Sequence, residues 1–204
     1  MEEFAMAMGV FFTIWLVIML VALAISITMY VFASLGTYRI AKRRGIHNPW
    51  LAWLPVGQAW ILGSISDHYQ KIARGKERNF RTVMLWLQVG MYAFSILMSV
   101  ISVVMSFGTA MAGIGGSEEA AMMSIMGFVG ILLIVELVFF AVCITHSVFA
   151  YICYYDLFRS CKPDNAVLFL ILGIFISVTL PFFIFACSKY DEGMPPKIRN
   201  TVNS

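Results

Sequence analysis

The chain has 204 residues, of which 61% are hydrophobic and 12% charged, and its mean hydropathy is +0.86. A typical soluble domain carries about 25% charged residues, so this composition excludes an ordinary soluble fold. A membrane-spanning helix needs about 20 mostly apolar residues, because the hydrocarbon core is about 30 Å thick. The sequence therefore predicts an all-α, polytopic integral membrane helix bundle that forms a single membrane domain over residues 1–204.

The formal net charge is +3, and the basic residues lie in short clusters beside apolar runs. Such clusters are typical of contact with lipid headgroups, so we expect membrane lipids, and no nucleic acid, as their partners. The four cysteines form no Cys-x-x-Cys pair, and only Cys143 has a nearby histidine, His146. Two ligands do not make a metal site, so we expect free thiols, no metal and no cofactor.

The amino-terminal segment is free of charge over residues 4–38. A secretory signal would begin with basic residues, whereas here Glu2 and Glu3 precede the apolar run. We interpret residues 9–36 as a retained membrane span. The span ends at a basic cluster that we expect to contact lipid headgroups and to set topology. This cluster consists of Arg39, Lys42, Arg43 and Arg44.

Residues 48–66 form an apolar segment interrupted by proline. Asn48 can cap a helix whose first position is Pro49, where a missing N–H has no cost. Pro55 is expected to break the helix interior, which predicts two short pieces. The tryptophans of this segment favour the membrane interface. The segment is therefore predicted to re-enter the membrane from one side, with a kinked full span as the alternative.

Further along the chain, a polar loop over residues 67–81 precedes two apolar runs that predict spans at 82–107 and 121–158. An acidic, Gly-rich loop at 108–119 separates them. The apolar segment 166–187 contains Pro181, so it also either re-enters or spans. A polar tail, 188–204, ends the chain.

Lysine and arginine predict the orientation of the chain. If 48–66 re-enters and the amino terminus lies outside, eleven of the fourteen basic residues are cytoplasmic. If 48–66 spans, the basic residues divide evenly and give no orienting bias. The sequence therefore predicts a plasma (inner) membrane protein with an external amino terminus and cytoplasmic basic loops.

An internal pseudo-repeat is the next prediction. Five residues recur at an offset of 117: Val31, Phe32, Ala33, Tyr38 and Asn48 match Val148, Phe149, Ala150, Tyr155 and Asn165. In both places a long span leads into a polar turn, an asparagine and a Pro-interrupted segment. The alternative is chance similarity between apolar segments.

Two short motifs, Ala41-Lys42-Arg43-Arg44-Gly45 and Trp50-Leu51-Ala52-Trp53-Leu54-Pro55-Val56-Gly57, lie within residues 39–65. They resemble a turn found in small uncharacterised bacterial multi-span inner-membrane proteins. There, a basic Gly-containing loop leads into a Trp-x-Ala-x-x-Pro segment. The resemblance implies a bacterial inner membrane and supports the re-entrant interpretation, and it implies no catalytic residue.

Glu136 lies far inside an apolar run, where an ionisable residue indicates a functional site. Helical spacing predicts that polar residues of 82–107 and 121–158 face each other along one polar seam. The polar seam comprises Gln88, Tyr92, Ser95, Ser99, Glu136, Cys143 and Ser147. In the alternative, Glu136 is a structural residue and the serines merely permit close helix approach.

Sequence signatures of membrane nucleophiles, zinc proteases and nucleotide-binding loops are missing from the chain, so we expect no catalytic residue. The expected function is a non-enzymatic membrane subunit or scaffold that packs against copies of itself or another membrane protein. The alternative is a small permease or an ion- or proton-coupled pathway, which the pseudo-repeat and the broken segments would suit.

Overall fold

The computed structural model describes residues 2–115 and 118–195, and every regular element in these ranges is helical. This confirms the predicted all-α class. The α-helices are α1 (Glu2–Arg43), α2 (Pro55–Arg74), α3 (Phe80–Gly115), α4 (Glu118–Cys161), α5 (Ala166–Phe175) and α6 (Leu180–Cys187). Short 3₁₀ helices occupy Pro49–Trp53, Pro163–Asn165 and Ser177–Thr179.

Three helices are long and apolar enough to cross a membrane: Met8–Arg43 in α1, Phe80–Gly108 in α3 and Leu132–Cys161 in α4. The whole helices α1, α3 and α4 each extend at both ends beyond the bounds that hydropathy predicted, 9–36, 82–107 and 121–158. The Gly-rich loop predicted at 108–119 is wrong over most of its length, because α3 continues to Gly115 and α4 begins at Glu118. Residues 116–117 lie outside the described ranges.

The segment after α1 forms a helical hairpin, whose local structure differs from the prediction at two residues. Asn48 adopts a left-handed conformation (φ 55°) and its side chain makes no capping hydrogen bond. Pro55 does not interrupt a helix but begins α2, where its fixed φ and missing N–H are tolerated. The expected loop from residue 67 is also helical as far as Arg74, because α2 is one continuous helix of 20 residues.

The tip of this first hairpin lies deep beside α1. Tyr30 Oη donates a hydrogen bond to the carbonyl of Trp53, and Gln58 Nε2 donates to Ser34 Oγ at 2.7 Å. Tyr30 is about 20 Å along α1 from the basic end of that helix, at 1.5 Å per residue. Helix α2 then returns, since His47 and Lys71 line one and the same cleft.

The second hairpin comprises α5, a break at residues 176–179 and α6, in which Pro181 occupies the first turn. Its tip also lies beside α1, where the Phe182 and Phe32 rings are 4.9 Å apart. After α6 the chain returns to the end of α4. There Glu192 N–H donates to the Cys161 carbonyl at 3.0 Å.

The two hairpins are arranged alike around α1 and α4. The first arm of each packs on the long helix that precedes it, so the 3₁₀ helix at Pro49–Trp53 contacts α1 and α5 contacts α4. The returning arms exchange partners, because α2 packs on α4 and α6 packs on α1. Arg44 and Cys161, which are 117 residues apart, meet at 3.4 Å. This arrangement agrees with the predicted pseudo-repeat.

The buried core lies at one end of the bundle, which we call the core end. It contains Ile40 of α1, Ile61 and Ile65 of α2, and Leu157 and Phe158 of α4, all with zero exposure. Helix α2 is the central element, since residues 61–66 are all buried. Described side chains of α1 from residue 8 to 28 are all exposed. The long helices therefore extend as apolar rods beyond a core that contains the basic turns.

Candidate functional site

Helices α3 and α4 contact each other through apolar side chains. The Phe94 and Phe139 rings stack with centroids 4.5 Å apart, and Phe80 meets Phe149 edge-on at 5.3 Å. Met91 and Met98 are half-buried on the same face of α3. The contact therefore runs beside the polar seam, whereas the sequence predicted packing along it.

The structure separates the seven residues of the polar seam. Ser95, Ser99, Glu136 and Ser147 are exposed. Ser99 Oγ donates to the Ser95 carbonyl at 2.9 Å, and Ser147 Oγ to the half-buried Cys143 at 2.8 Å, so both hydroxyls are satisfied within their own helices. The Glu136 carboxylate has no hydrogen bond or ion pair among the described residues.

Gln88 and Tyr92, the remaining two residues of the polar seam, line a cavity of about 270 Å³ between α1, α2, α3 and α4. His146 also lines it, and its Nε2 is buried with no hydrogen-bond partner among the described atoms. Gln58 of α2 contributes a further polar group. The place of His146 in this cavity could not be predicted from the sequence, because the return of α2 between the long helices is a tertiary feature.

At the core end, Asp156 is a buried carboxylate that joins α4 to α2. Ser66 Oγ and Gln70 Nε2 each donate to one of its oxygens at 2.7 Å, and only 2% of the residue is exposed. Neutral donors thus satisfy both oxygens. This network was not predicted from the sequence, because Gln70 lies in the segment that was predicted to be a loop.

Two residues of the predicted lipid-contacting cluster bind within the chain instead. The Arg44 side chain is fully buried, and its Nη2 lies 2.8 Å from Asp191 Oδ1. Arg43 pairs with the other Asp191 oxygen and donates to the carbonyls of Ser188 and Tyr190. Arg44 is therefore buried and Arg43 half-buried in contacts within the chain, whereas Arg39 and Lys42 remain exposed.

A second, larger cavity opens at the core end. This basic cleft has a volume of about 680 Å³ and lies between the turn after α1, the second half of α2 and the start of α3. Lys71, Arg78 and Arg81 supply its positive charges, and Ile46 and Trp60 supply apolar surface. It is lined further by His47, Ser64, Asp67, His68, Glu77 and Asn79.

Asp67 fixes one wall of the basic cleft. Its carboxylate accepts the backbone N–H groups of Phe80 at 3.0 Å and Arg81 at 3.1 Å, which caps α3. Partial burial raises the pKa of Asp67, and these two hydrogen bonds oppose the rise. Both oxygens are therefore committed to the start of α3.

His68 lies beside Asp67 and is partly buried in the wall of the basic cleft. Burial and the nearby Arg44 guanidinium lower its pKa below the usual value, and Asp191 opposes this shift. The ring is thus neutral at pH 7. Its Nδ1 is buried without a hydrogen-bond partner in the described chain.

Over the described ranges, no group of three or more His, Cys, Asp or Glu side chains is placed to hold a metal ion. Comparison of the sequence and structure with protein-family models, curated proteins and solved structures finds no match. The resemblance to small bacterial inner-membrane proteins therefore stays a prediction.

Proposed function

We propose that this chain is a polytopic plasma-membrane protein that acts as a non-enzymatic subunit or scaffold. The observation that carries the proposal is the bare surface of α1, whose described side chains are exposed from residue 8 to 28. Thr13, Ser26 and Thr28 each donate to the carbonyl four residues earlier, so their hydroxyls need no water. Such a helix suits a bilayer in which it packs against lipid and other helices.

Three buried or half-buried acidic side chains have structural roles, which supports the proposal of a non-enzymatic protein. Asp67 caps α3, Asp156 joins α2 to α4, and Asp191 pairs with two arginines. Each of these carboxylates stabilises the fold, so none is free to act as a general base on a substrate. The architecture they support is a platform at the core end from which the long helices project.

In the proposed topology the three long helices span the membrane and both hairpins re-enter from the core end. The tips of both hairpins would then lie in the hydrocarbon region, about 15–20 Å from the basic ends of the spans. The core end carries the basic turns, which supports a cytoplasmic core end and an external amino terminus. Two re-entrant hairpins explain why the apolar segments 48–66 and 166–187 contain prolines.

Photo-crosslinking in native membranes tests the subunit proposal. A photoreactive residue at Val17 or Leu20 should form one discrete protein adduct, because a subunit helix contacts a partner helix or a second copy. The same residue at the buried Ile61 should give only intramolecular products and serves as the control. If both α1 positions crosslink to lipid alone at every expression level, the proposal is wrong.

A small permease is the second candidate, and one observation favours it. The cavity is lined by Gln88, Tyr92 and His146, whose Nε2 has no hydrogen-bond partner in the described part of the chain, so polar groups lie between helices that would be in the bilayer. Transporters built from repeats bind their substrates at comparable places. Purified protein in liposomes should then conduct or exchange a small solute, and His146→Ala should abolish that flux while His47→Ala should not.

A further inference from the structure

The basic cleft lies at the level where a membrane would present its headgroups. One wall of the basic cleft is formed at the start of α3, where Arg78 and Asn79 immediately precede the apolar stretch Phe80–Gly108. Its opposite wall includes His47, four residues after the end of the apolar stretch of α1. The polar headgroup layers add about 5–8 Å on each side of the hydrocarbon core, and chain ends of this kind lie within them.

The positively charged side chains of the basic cleft remain available to bind a ligand. The Arg81 guanidinium makes no hydrogen bond or ion pair with any described residue, and the Arg78 guanidinium only stacks over the Phe80 ring at 5.0 Å. Lys71 pairs with Glu77 at 2.9 Å, and both side chains are exposed. An exposed pair of this type contributes about 0–1 kcal/mol, so an anion can replace Glu77 readily.

The Asp67 carboxylate attracts Arg81 and Arg78 electrostatically, but among the described residues it forms no ion pair with either of them. Both of its oxygens accept backbone N–H groups of α3, which holds the carboxylate against the start of that helix. The neutral His68 adds a polar group whose Nδ1 has no partner in the described chain. The basic cleft therefore combines two unpaired guanidinium groups, one replaceable ammonium group and one unsatisfied imidazole.

Apolar surface beside these charges distinguishes a lipid from a free ion. Trp60 and Ile46 line the same cleft, and both are half-buried against the core. A free phosphate needs no apolar wall, whereas the glycerol backbone and first methylenes of a phospholipid do. Tryptophan is also the side chain most suited to the membrane–water interface.

We propose that the basic cleft binds the phosphate of an anionic phospholipid headgroup through Arg78, Arg81 and Lys71, with Trp60 and Ile46 against its glycerol region. Guanidinium groups bind phosphate oxygens through paired, charge-assisted hydrogen bonds. This binding differs from general contact with membrane lipids, because it takes place in one cleft and not over the whole basic surface. The proposal does not depend on the subunit or permease function.

Titration of the purified full chain in neutral detergent tests this site. The probes are dihexanoyl phosphatidylglycerol, dihexanoyl phosphatidylcholine and glycerol 3-phosphate, with binding heat as the readout. We expect saturable binding of phosphatidylglycerol alone, and a Kd raised about tenfold by Arg81→Gln, since one charge-assisted contact contributes about that factor. Arg78→Gln should act similarly, and Arg81→Lys should recover part of the affinity.

Arg74→Gln is the matched control, because Arg74 is an exposed arginine at the end of α2 that does not line the basic cleft. Its Kd should stay within about twofold, and all variants should keep the parent elution volume and thermal midpoint. Equal losses in Arg74→Gln and Arg81→Gln would show general charge attraction and overturn the site. Equal binding of phosphatidylcholine would overturn the anionic headgroup, and equal binding of glycerol 3-phosphate would overturn the lipid.

Discussion

Asp156 is the residue on which the contact between α2 and α4 depends most directly. Replacing it with alanine leaves the Ser66 hydroxyl and the Gln70 amide buried without their acceptor. Each such group costs about 1–3 kcal/mol, so we expect the two together to lower the free energy of unfolding by about 2–6 kcal/mol. Thermal unfolding in detergent measures this loss, and Asp164→Ala, which removes an exposed carboxylate, is the control. Equal midpoints for the two variants would contradict the network.

His68 makes the stability of the core end depend on pH. Because burial and Arg44 lower its pKa in the folded chain, the unfolded chain binds more protons as pH falls through the ordinary histidine value. Stability is therefore lost on acidification below about pH 6.5. The drop in thermal midpoint between pH 7.5 and 5.0 should be smaller in His68→Gln than in the parent. His47→Gln, at an exposed histidine, should keep the parent drop, and an unchanged drop in His68→Gln would refute the prediction.

Glu136 presents the clearest difference between sequence and structure at a single residue. The sequence predicted a partner across the polar seam, and the structure leaves the carboxylate exposed on α4. We therefore expect both Glu136→Gln and Glu136→Leu to keep the folded yield and thermal midpoint of the isolated chain. Only association with a partner, or transport, should respond to these changes. A lower midpoint for Glu136→Leu in monodisperse protein would show that the side chain has an internal partner.

As with Glu136, the tertiary partners of the basic residues at the end of α1 could not be predicted from the sequence. Composition identified Arg39, Lys42, Arg43 and Arg44 as one group, but their separate roles depend on where the chain after α6 returns. Arg43 and Arg44 face that returning segment, and Arg39 and Lys42 do not. Periodicity within α1 could not reveal Asp191, which is distant in sequence.

Among the helices, the approach of α3 to α2 depends on a glycine. A methyl group at Gly63 would lie 2.6 Å from Arg81 Cα, so the start of α3 would have to move. We expect Gly63→Ala to destabilise the fold by about 1–3 kcal/mol through this overpacking. Gly90→Ala is the control, since nothing lies within 4 Å of that added methyl group and alanine favours a helix. If Gly63→Ala matches Gly90→Ala in thermal midpoint, the close approach is not required.

Hydropathy predicted the existence and order of the helices, and tertiary packing determined their ends. The long spans were recognisable because apolar runs of that length, with so few charged residues, are typical of membrane-spanning helices. Helix α2 was harder to recognise, since its second half carries Ser66, Asp67, His68 and Gln70. These polar side chains indicate a loop in isolation, but in the fold they bond to α3 and α4 or line the basic cleft.

The prolines show why local sequence rules predicted only part of the structure of each hairpin. Pro49 and Pro55 both occupy the first turn of a helix, as does Pro181 in α6. A proline indicates a helix boundary, and the sequence alone does not tell whether that boundary is a break or a start. Here each proline begins the next helical piece of a hairpin.

Over the whole molecule, two similar units, each a long helix followed by a hairpin, form the core end. The sequence offset of 117 residues indicated the repeat. It could not show that the returning helices exchange partners, because that exchange is set by packing of α2 on α4 and α6 on α1. In the proposed topology this arrangement corresponds to three spans and two re-entrant hairpins.

The re-entrant topology of both hairpins is tested by the accessibility of introduced cysteines to an impermeant maleimide in intact cells. The exposed positions are Met6 at the far end, Lys42 before the first hairpin, Lys76 after it and Lys189 after the second. The parent chain, whose native thiols are buried or half-buried, supplies the background. We predict labelling of Met6→Cys in intact cells, and labelling of Lys42→Cys, Lys76→Cys and Lys189→Cys only after permeabilisation. Labelling of Lys76→Cys or Lys189→Cys from the side opposite Lys42→Cys would mean that a hairpin crosses the membrane and would contradict the account.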